Sequence, residues 1–275
     1  MYATDFEYDG MRLSDYGMMI CSFDNGGGLE TVSSGADLSF ETVKSARSDN
    51  FRLTNSKYEE GYSMTFQICK NNCLDDDKKI SPMEVSAIQR WLCRKDNFHR
   101  FKVLQEGYEG IHWNATFSSK QIEVAGQIVG LELTLTTDSS YAYGEEQSIT
   151  FRTTNVGGNY SAVATLYDLN DEIGYMYPTV TITNFTTGKL IISNITNMLP
   201  ETIVTTIKFD DLDTITINGK NKTIKSTNGY DLSGKFNFVF PKLMNTFDER
   251  KNLYVIQGID CEVTFSYCPK IKVGL

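Results

Sequence analysis

Two stretches of sequence decide the fold of this chain: IHWNATF over residues 111–117 and VGLELTLT over residues 129–136. In each stretch apolar and polar residues alternate, as Trp113, Ala115 and Phe117 do with the residues between them. A period of two places successive side chains on opposite faces of a β-sheet, so one face of each stretch is expected to be buried. Both stretches therefore predict strands with one apolar face.

The same alternation recurs along most of the chain and predicts a mainly β protein. It is found over residues 64–68, 180–182, 203–209, 215–217, 236–240 and 261–267. Asn218-Gly219 and Asn228-Gly229 predict tight turns, because asparagine and glycine adopt a positive φ at little cost. Many short strands separated by turns are typical of sandwiches and barrels.

One segment has a helical pattern instead. Residues 81–84, Ser-Pro-Met-Glu, form a capping box with proline at the first helical position, which satisfies two backbone amides and starts a helix. The apolar residues that then fall on one helical face are Val85, Ile88, Trp91 and Leu92. We expect a helix near residues 82–95 that covers one side of a sheet.

A change in composition divides the chain in two. Residues 138–147 are polar and contain glycine and serine, which is typical of a linker. The sequence after this stretch is rich in threonine, isoleucine and asparagine and has no helical period. The sequence therefore predicts a β-rich N-terminal domain with one helix over residues 1–137 and an all-β sandwich over residues 148–275.

The charge of the chain limits its partners. The 275 residues carry a formal net charge of −9, which disfavours tight binding of nucleic acid but suits a channel wall that DNA passes without sticking. Residues 1–9 lack the pattern of a signal peptide, and no apolar run approaches the ~18 residues that span a membrane. We therefore expect synthesis in a cytoplasm and no membrane contact.

The cysteines leave two interpretations open. The six are Cys21, Cys69, Cys73, Cys93, Cys261 and Cys268. Cys69, Cys73 and Cys93 could supply three thiolates to zinc, but the sequence has no CxxC pair and only His99 and His112 as further ligands. Structural thiols are favoured over a zinc site, and we expect no bound metal.

No catalytic pattern stands out in the sequence. Two histidines and no Gly-x-Ser-x-Gly motif leave few options for nucleophilic catalysis. The acidic pairs Asp210-Asp211 and Asp248-Glu249 do not indicate a glycoside hydrolase site, because accidental pairs are expected among 35 acidic residues. Gly26–Gly28 opens no phosphate-binding loop, and Asp75–Asp77 lacks the glycine and distant glutamate of a calcium loop. We therefore expect no enzymatic activity, no catalytic residues and no cofactor.

Two parts of the chain resemble the distal tail proteins (the Dit family) of long flexible-tailed phages and prophages. The first is Phe6-x-Tyr8-x-Gly10, followed by Leu13–Gly17 and a strand over residues 18–23. The second is an ordered series of segments near the carboxyl end: 214–219, 224–226, 236–243, 252–258 and 261–267. In addition, Arg90-Trp91-Leu92 resembles the RWL-like helix of the family's first domain. The shared order extends over most of the chain.

The resemblance implies a structural protein of the tail tip, the hub of a baseplate in the virion tail, assembled in the bacterial host cytoplasm. It implies that the first domain forms a homo-hexameric ring around a channel for DNA. It implies a galectin-like β-sandwich as the second domain. The ring would contact the tail tube protein on one side and the tail-associated tip protein on the other.

The stretch from Leu38 to Tyr58 predicts a protruding hairpin around a polar turn at Ser48–Asn50. Because unpaired strand edges tend to associate, we expect this hairpin to embrace the neighbouring subunit of a ring. The alternative function is a soluble lectin-like module that binds carbohydrate. However, Trp91 and Trp113 occupy core positions and offer no obvious platform for a sugar.

Overall fold

A computed structural model describes residues 3–23, 35–46, 49–71, 78–196, 199 and 201–274. Within these residues the chain is mainly β, with one α-helix and one short 3-10 helix, which confirms the predicted fold class. The structure divides into two units. Met1–Gly144 and Ile271–Leu275 form the first unit, and Glu145–Lys270 form the second.

The first unit contains a seven-stranded antiparallel sheet and a separate hairpin. Its elements are β1 (Phe6–Tyr8), β2 (Met11–Arg12), the 3-10 helix (Leu13–Tyr16), β3 (Met18–Cys21), β4 (Leu38–Lys44), β5 (Phe51–Tyr58), β6 (Ser63–Lys70), α1 (Pro82–Leu92), β7 (His99–Val103), β8 (Trp113–Val124), β9 (Gln127–Thr137) and β10 (Ala142–Tyr143). The strand order of the sheet is β2-β1-β7-β8-β9-β6-β3, and β4 pairs with β5.

The opening hairpin forms where the glycines indicate it. Asp9 and Gly10 connect β1 to β2 with φ values of 51° and 78°, which match the twist of the paired strands. Asp15 then accepts a hydrogen bond from the backbone of Arg12 at 2.9 Å, and Gly17 ends the 3-10 helix with a φ of 67°. These local bonds turn the chain into β3.

Helix α1 begins as expected and ends earlier. Ser81 Oγ accepts from the Glu84 amide at 3.3 Å, and a Glu84 carboxylate oxygen accepts from the Ser81 amide at 2.6 Å. The helix ends at Leu92 rather than near residue 95. Arg94 Nε donates to the Trp91 carbonyl at 3.0 Å, so a side chain satisfies an acceptor of the last turn in place of a further helical amide.

The core of the first unit is built around aromatic rings from distant strands. The Phe6 ring lies 5.8 Å from both Phe66 and Trp91 and 5.3 Å from Phe101, between ring centroids. Trp91 Nε1 donates to the Tyr8 carbonyl at 3.0 Å, so the polar atom of this buried ring is satisfied. Trp91 is therefore a core residue, as the sequence predicts.

The stretch expected to be a linker is partly ordered in the first unit. The Asp138 amide donates to the Asn114 carbonyl at 3.0 Å, and Tyr143 exchanges two backbone bonds with His112. Ala142 is fully buried. The polar residues that indicate a linker in sequence instead hydrogen-bond to neighbouring strands, so the division between the units falls after Gly144.

The second unit is a sandwich of two five-stranded antiparallel sheets. Its elements are β11 (Gln147–Arg152), β12 (Thr154–Val156), β13 (Asn159–Tyr167), β14 (Gly174–Met176), β15 (Thr179–Asn184), β16 (Gly188–Asn194), β17 (Ile203–Phe209), β18 (Thr214–Asn218), β19 (Thr223–Ser226), β20 (Leu243–Asn245), β21 (Lys251–Gln257) and β22 (Cys261–Tyr267), with β23 (Lys270–Ile271) after them. The sheet orders are β11-β22-β15-β18-β19 and β12-β13-β21-β16-β17. Both sheets contribute to one buried apolar cluster, as the alternation predicts.

The expected strand over residues 236–243 does not form. Phe238 has a φ of 56°, and the side chain of Asn237 donates to Val204 O at 2.8 Å and accepts from the Thr206 amide at 3.0 Å. A side chain thus takes the place of a backbone ladder, and Pro241 has no amide to donate. The regular strand β20 begins only at Leu243.

The two expected glycine turns differ in their geometry. Gly229 has the positive φ that its turn predicts, at 75°. In the turn after Asn218 the positive φ belongs to Lys222, at 54°. Gly219 is required there for space, because a Cβ atom on it would lie 2.7 Å from Cδ1 of the Tyr177 ring.

Candidate functional site

A two-stranded hairpin of the first unit presents apolar side chains to solvent. In the described part of the chain, β4 and β5 pair only with each other. The exposed fractions of Phe40, Phe51 and Leu53 are 60%, 68% and 54%, and that of Leu38 is 41%. A ribbon of two strands with apolar residues in water is marginal by itself, so this surface is suited to contact with another chain.

A β-bulge keeps these apolar residues together. The ladder pairs Glu41 with Asn55 and the next residue of β4 with Leu53, so Thr54 has no opposite residue in the ladder. Ser56 lies opposite Phe40 in the ladder, so their side chains share one face. Without the bulge, every second residue before Ser56 would lie on that face, namely Thr54 and Arg52. The bulge places four exposed apolar residues on one face, which we call the hairpin face: Leu38, Phe40, Phe51 and Leu53.

The base of the hairpin is attached to the first unit by specific contacts. The rings of Tyr58 and Tyr141 meet edge to face at 5.1 Å between centroids. Just after the hairpin, the Glu60 carbonyl accepts a hydrogen bond from Ser140 Oγ at 2.8 Å. The turn residue Ser48 lies outside the described residues. The hairpin is thus held at its base while its apolar face remains exposed.

The described cysteines are thiols, and two of them, Cys21 and Cys69, are hydrogen-bonded to each other on neighbouring strands. Five are described and form no disulfide, namely Cys21, Cys69, Cys93, Cys261 and Cys268, whereas Cys73 lies outside the described residues. Cys93 Sγ is 3.7 Å from Ser119 Oγ, and burial raises the pKa of Cys261 to about 11, which keeps that thiol protonated. Over the described ranges, no three His, Cys, Asp or Glu side chains converge on a possible metal position.

The two histidines have structural surroundings. His112 is buried, and Arg100 Nη2 donates to its Nδ1 at 3.4 Å. Burial and the charges of Arg100 and Lys102 lower the pKa of His112 to about 4. His99 lies between two carboxylates, 3.7 Å from Asp9 and 3.1 Å from Asp96. Neither ring faces a nucleophile in a described contact.

The acidic pairs noted in the sequence have different surroundings. Asp210 makes ion pairs with Lys235 at 3.0 Å and Lys208 at 3.1 Å, and hydrogen bonds from these two lysines lower its pKa. A general acid needs a raised pKa instead. Asp248 and Glu249 are exposed. The segments Gly26–Gly28 and Asp75–Asp77 lie outside the described residues.

One buried carboxylate was not foreseen from the sequence. Asp168 is 1% exposed, and its Oδ1 accepts from the backbone and side chain of Asn170 at 2.8 and 2.6 Å. Its Oδ2 has no partner among the described residues, and burial raises its pKa. Asp168 directly follows β13, two residues after the buried Leu166, but its burial depends on strands that are distant in sequence.

A cluster of two lysines and two tyrosines in the second unit was also missed. Lys222 Nζ lies 3.5 Å from the centre of the Tyr177 ring, and Lys242 Nζ lies 4.3 Å from that of Tyr175. The two tyrosine rings meet edge to face at 5.8 Å. We call these four residues the lysine–tyrosine cluster. Its members come from three segments, so no local motif indicates it.

None of the helices in the described part of the chain has the length and apolar character that crossing a bilayer requires.

Comparisons with known proteins agree with this architecture. The chain matches the family profile described as phage tail protein N-terminal domain over residues 1–139 and the one described as phage tail C-terminal domain over residues 141–267. No curated protein matches the sequence. The crystal structure of the Dit protein of phage SPP1, described as a paradigm of the hub adsorption apparatus in Gram-positive infecting phages, is similar with a TM-score of 0.64.

The similarity to the SPP1 protein extends over nearly the whole of both chains. It covers 96% of this chain and 98% of the SPP1 chain, with 12% sequence identity. At this identity the likeness shows the fold alone. The family is shown by the two family profiles, which match residues 1–139 and 141–267. The resemblance seen in the sequence is thereby confirmed: this chain belongs to the phage tail proteins, and it has the fold of a distal tail protein.

Proposed function

We propose that this chain is a hub of the phage tail tip whose copies form a hexameric ring between the tail tube protein and the tail-associated tip protein. The SPP1 Dit protein, which shares its fold, is described as part of a hub adsorption apparatus. In this proposal the first domain forms the ring, and the second is a galectin-like sandwich, a likeness of shape that implies no sugar binding. DNA passes through the channel without specific binding, consistent with the net charge of −9.

The hairpin face is the observation that supports ring assembly. Its four apolar side chains are 41–68% exposed in the single chain. Burying one such side chain fully contributes about 1.5–3 kcal/mol, so contact with a neighbouring subunit would stabilise a ring substantially. A cyclic ring uses two different surfaces on each subunit and leaves no subunit with an unpaired hairpin.

The proposal includes no catalysis. Asp210 has a lowered pKa and two lysine partners, and the described histidines are engaged with Arg100, Asp9 and Asp96. Both arrangements fit a structural adaptor better than a hydrolase. Purified protein is expected to leave peptidoglycan intact, as measured by release of soluble fragments.

Substitution of the hairpin face tests ring assembly directly. We expect Phe40→Ser with Phe51→Ser to prevent ring formation, because polar side chains remove the apolar contact with the next subunit. Native mass spectrometry and negative-stain imaging of purified protein, or of tail-tip complexes if the ring needs its partners, provide the readout. Deletion of residues 46–55 is expected to have the same effect.

The control replaces an exposed phenylalanine elsewhere in the same unit. Phe98 is 41% exposed, so Phe98→Ser removes a similar ring without touching the hairpin face. Circular dichroism checks that each variant is folded. Rings of unchanged size in the double variant, or equal loss in the control, would contradict the role of the hairpin face.

A further inference from the structure

The lysine–tyrosine cluster presents unpaired positive charge on an acidic protein. Within the described residues, neither Lys222 nor Lys242 makes an ion pair with a carboxylate. Other lysines of the same unit do form such pairs, as Lys208 and Lys235 do with Asp210. The ammonium groups of the cluster therefore remain able to bind an anion.

The sequence segments that carry the cluster contain few acidic residues. Residues 173–200, 214–230 and 232–247, which supply all four members, include no aspartate or glutamate. The chain as a whole has 35 acidic residues and a net charge of −9. The four members thus lie on segments with few carboxylates, and a local excess of positive charge attracts anions.

The backbone holds the cluster in place. The Tyr177 ring packs against Gly219, where a Cβ atom would lie 2.8 Å from the tyrosine Cβ. The carbonyl of Lys242 accepts hydrogen bonds from Asn194 Nδ2, at 2.8 Å, and from the Tyr254 hydroxyl. Lys242 and Tyr177 thus occupy fixed positions, which lowers the entropy cost of binding a ligand.

The two tyrosines offer both polar and apolar contacts. Tyr175 is 58% exposed, so much of its ring is open to a ligand. Burial raises the pKa of Tyr177, but the hydrogen bond from Lys222 and the charges of Lys242 and Lys222 lower it overall. Ammonium and phenol groups all donate hydrogen bonds, which oxyanions accept strongly.

We propose that the lysine–tyrosine cluster binds a charged saccharide, with its phosphate or carboxylate on the lysines and its sugar ring against Tyr175. The apolar face of a sugar ring covers an aromatic ring, whereas a bare anion does not. All four residues of the site belong to the second unit, so a binding measurement tests this proposal separately from ring assembly. Binding at this site would add direct contact with a charged glycan to the tail-tip role.

Calorimetric titration of the full chain with three probes tests the proposal. We expect glucose 6-phosphate to bind at least about tenfold more tightly than glucose, since charge-assisted hydrogen bonds dominate recognition. Inorganic phosphate is expected to bind more weakly than glucose 6-phosphate, because it makes no contact with the Tyr175 ring. Ionic strength is kept at about 0.1 M, so that distant charges are screened.

Two sets of substitutions separate the charged contact from the aromatic one. Lys222→Gln with Lys242→Gln is expected to weaken glucose 6-phosphate binding at least about tenfold. Tyr175→Ala is expected to bring glucose 6-phosphate affinity down to that of inorganic phosphate and to leave phosphate affinity unchanged. The matched control, Lys189→Gln with Lys251→Gln, removes two exposed charges from strands β16 and β21 of the other sheet and is expected to retain binding.

The proposal is overturned by any of four results. These are no binding of glucose 6-phosphate, an equal loss in the control variant, equal affinity for phosphate and glucose 6-phosphate, or an unchanged affinity in Tyr175→Ala. A hexaglutamate peptide serves as a further probe. If it binds more tightly than glucose 6-phosphate, the cluster instead recognises an acidic protein segment.

Discussion

His112 carries no charge in the folded protein. Its backbone pairs with Tyr143, and its ring lies against that tyrosine at 5.7 Å between centroids. Because a guanidinium group only donates hydrogen bonds, the Nδ1 atom that faces Arg100 must accept and is unprotonated. The alternation around residue 112 predicts that this side chain and that of Trp113 lie on opposite faces of the sheet. The cationic residues that keep the ring uncharged, Arg100 and Lys102, come from another strand, β7.

This neutral histidine predicts a pH dependence of stability. Its pKa falls from 6.5 to about 4 on folding, so between these values the unfolded chain binds the extra proton. The free energy of unfolding therefore decreases as pH falls through this window and is unaffected by His112 above it. We expect the wild type to lose about 2 kcal/mol more than His112→Gln between pH 6.5 and 4.5.

Urea unfolding of both proteins at the two pH values measures this difference. Comparing the change with pH, rather than the stability at one pH, removes any effect of the substitution on packing. Parallel pH profiles of the two proteins would show that His112 does not titrate in this range.

At the scale of elements, helix α1 depends on Ser81, the residue that caps its start. Ser81 and Glu84 exchange two hydrogen bonds at the start of the helix, and Glu84 also pairs with the buried Lys70 at 3.1 Å. Ser81→Ala is expected to lower the free energy of unfolding by about 1 kcal/mol, because a helix amide loses its acceptor. Thermal or urea unfolding followed by tryptophan fluorescence reports this change.

Ser86 provides the control for the capping residue. It is an exposed residue in the middle of α1, so Ser86→Ala removes the same hydroxyl without affecting a cap. This variant is expected to be as stable as the wild type or slightly more stable, since alanine favours helix. A similar loss in both variants would argue against a specific role of the cap.

At the scale of the whole molecule, the end of the chain belongs to the core of the first unit. Ile271 and Val273 pack against that core, and the Tyr108 hydroxyl donates to the Gly274 carbonyl at 2.9 Å. Both tryptophans of the chain, Trp91 and Trp113, are buried in the same unit. Tryptophan fluorescence therefore reports the unfolding of the first unit.

Removal of residues 271–275 is expected to destabilise the first unit selectively. Loss of two apolar contacts predicts a decrease of about 2 kcal/mol in its free energy of unfolding, seen as a lower urea midpoint in tryptophan fluorescence. The part of the circular dichroism signal that comes from the second unit is expected to keep its midpoint. Removal of residues 273–275 alone retains Ile271 and is expected to have a smaller effect. An unchanged fluorescence midpoint would contradict this assignment.

The sequence by itself determined the elements whose signals are local. The alternation over residues 111–117 and 129–136 identifies strands and their buried faces, because side-chain direction in a strand follows position alone. The capping box at Ser81 identifies the start of α1 for the same reason, and Asp9-Gly10 allows the first turn. The hairpin from Leu38 to Tyr58 was also predictable, although the bulge that aligns its apolar face was not.

Only the tertiary structure decided the features that depend on distant partners. The closing residues 271–274 join the first unit, although the sequence assigned them to the second domain, because their apolar contacts come from the first core. Residues 236–240 alternate like a strand, yet the side chain of Asn237 bonds to another strand in place of a ladder. The lysine–tyrosine cluster arises from three separate segments. Contacts between residues distant in sequence decide which of several locally possible conformations a segment adopts. A short stretch of sequence does not contain those distant residues, so it cannot predict the outcome.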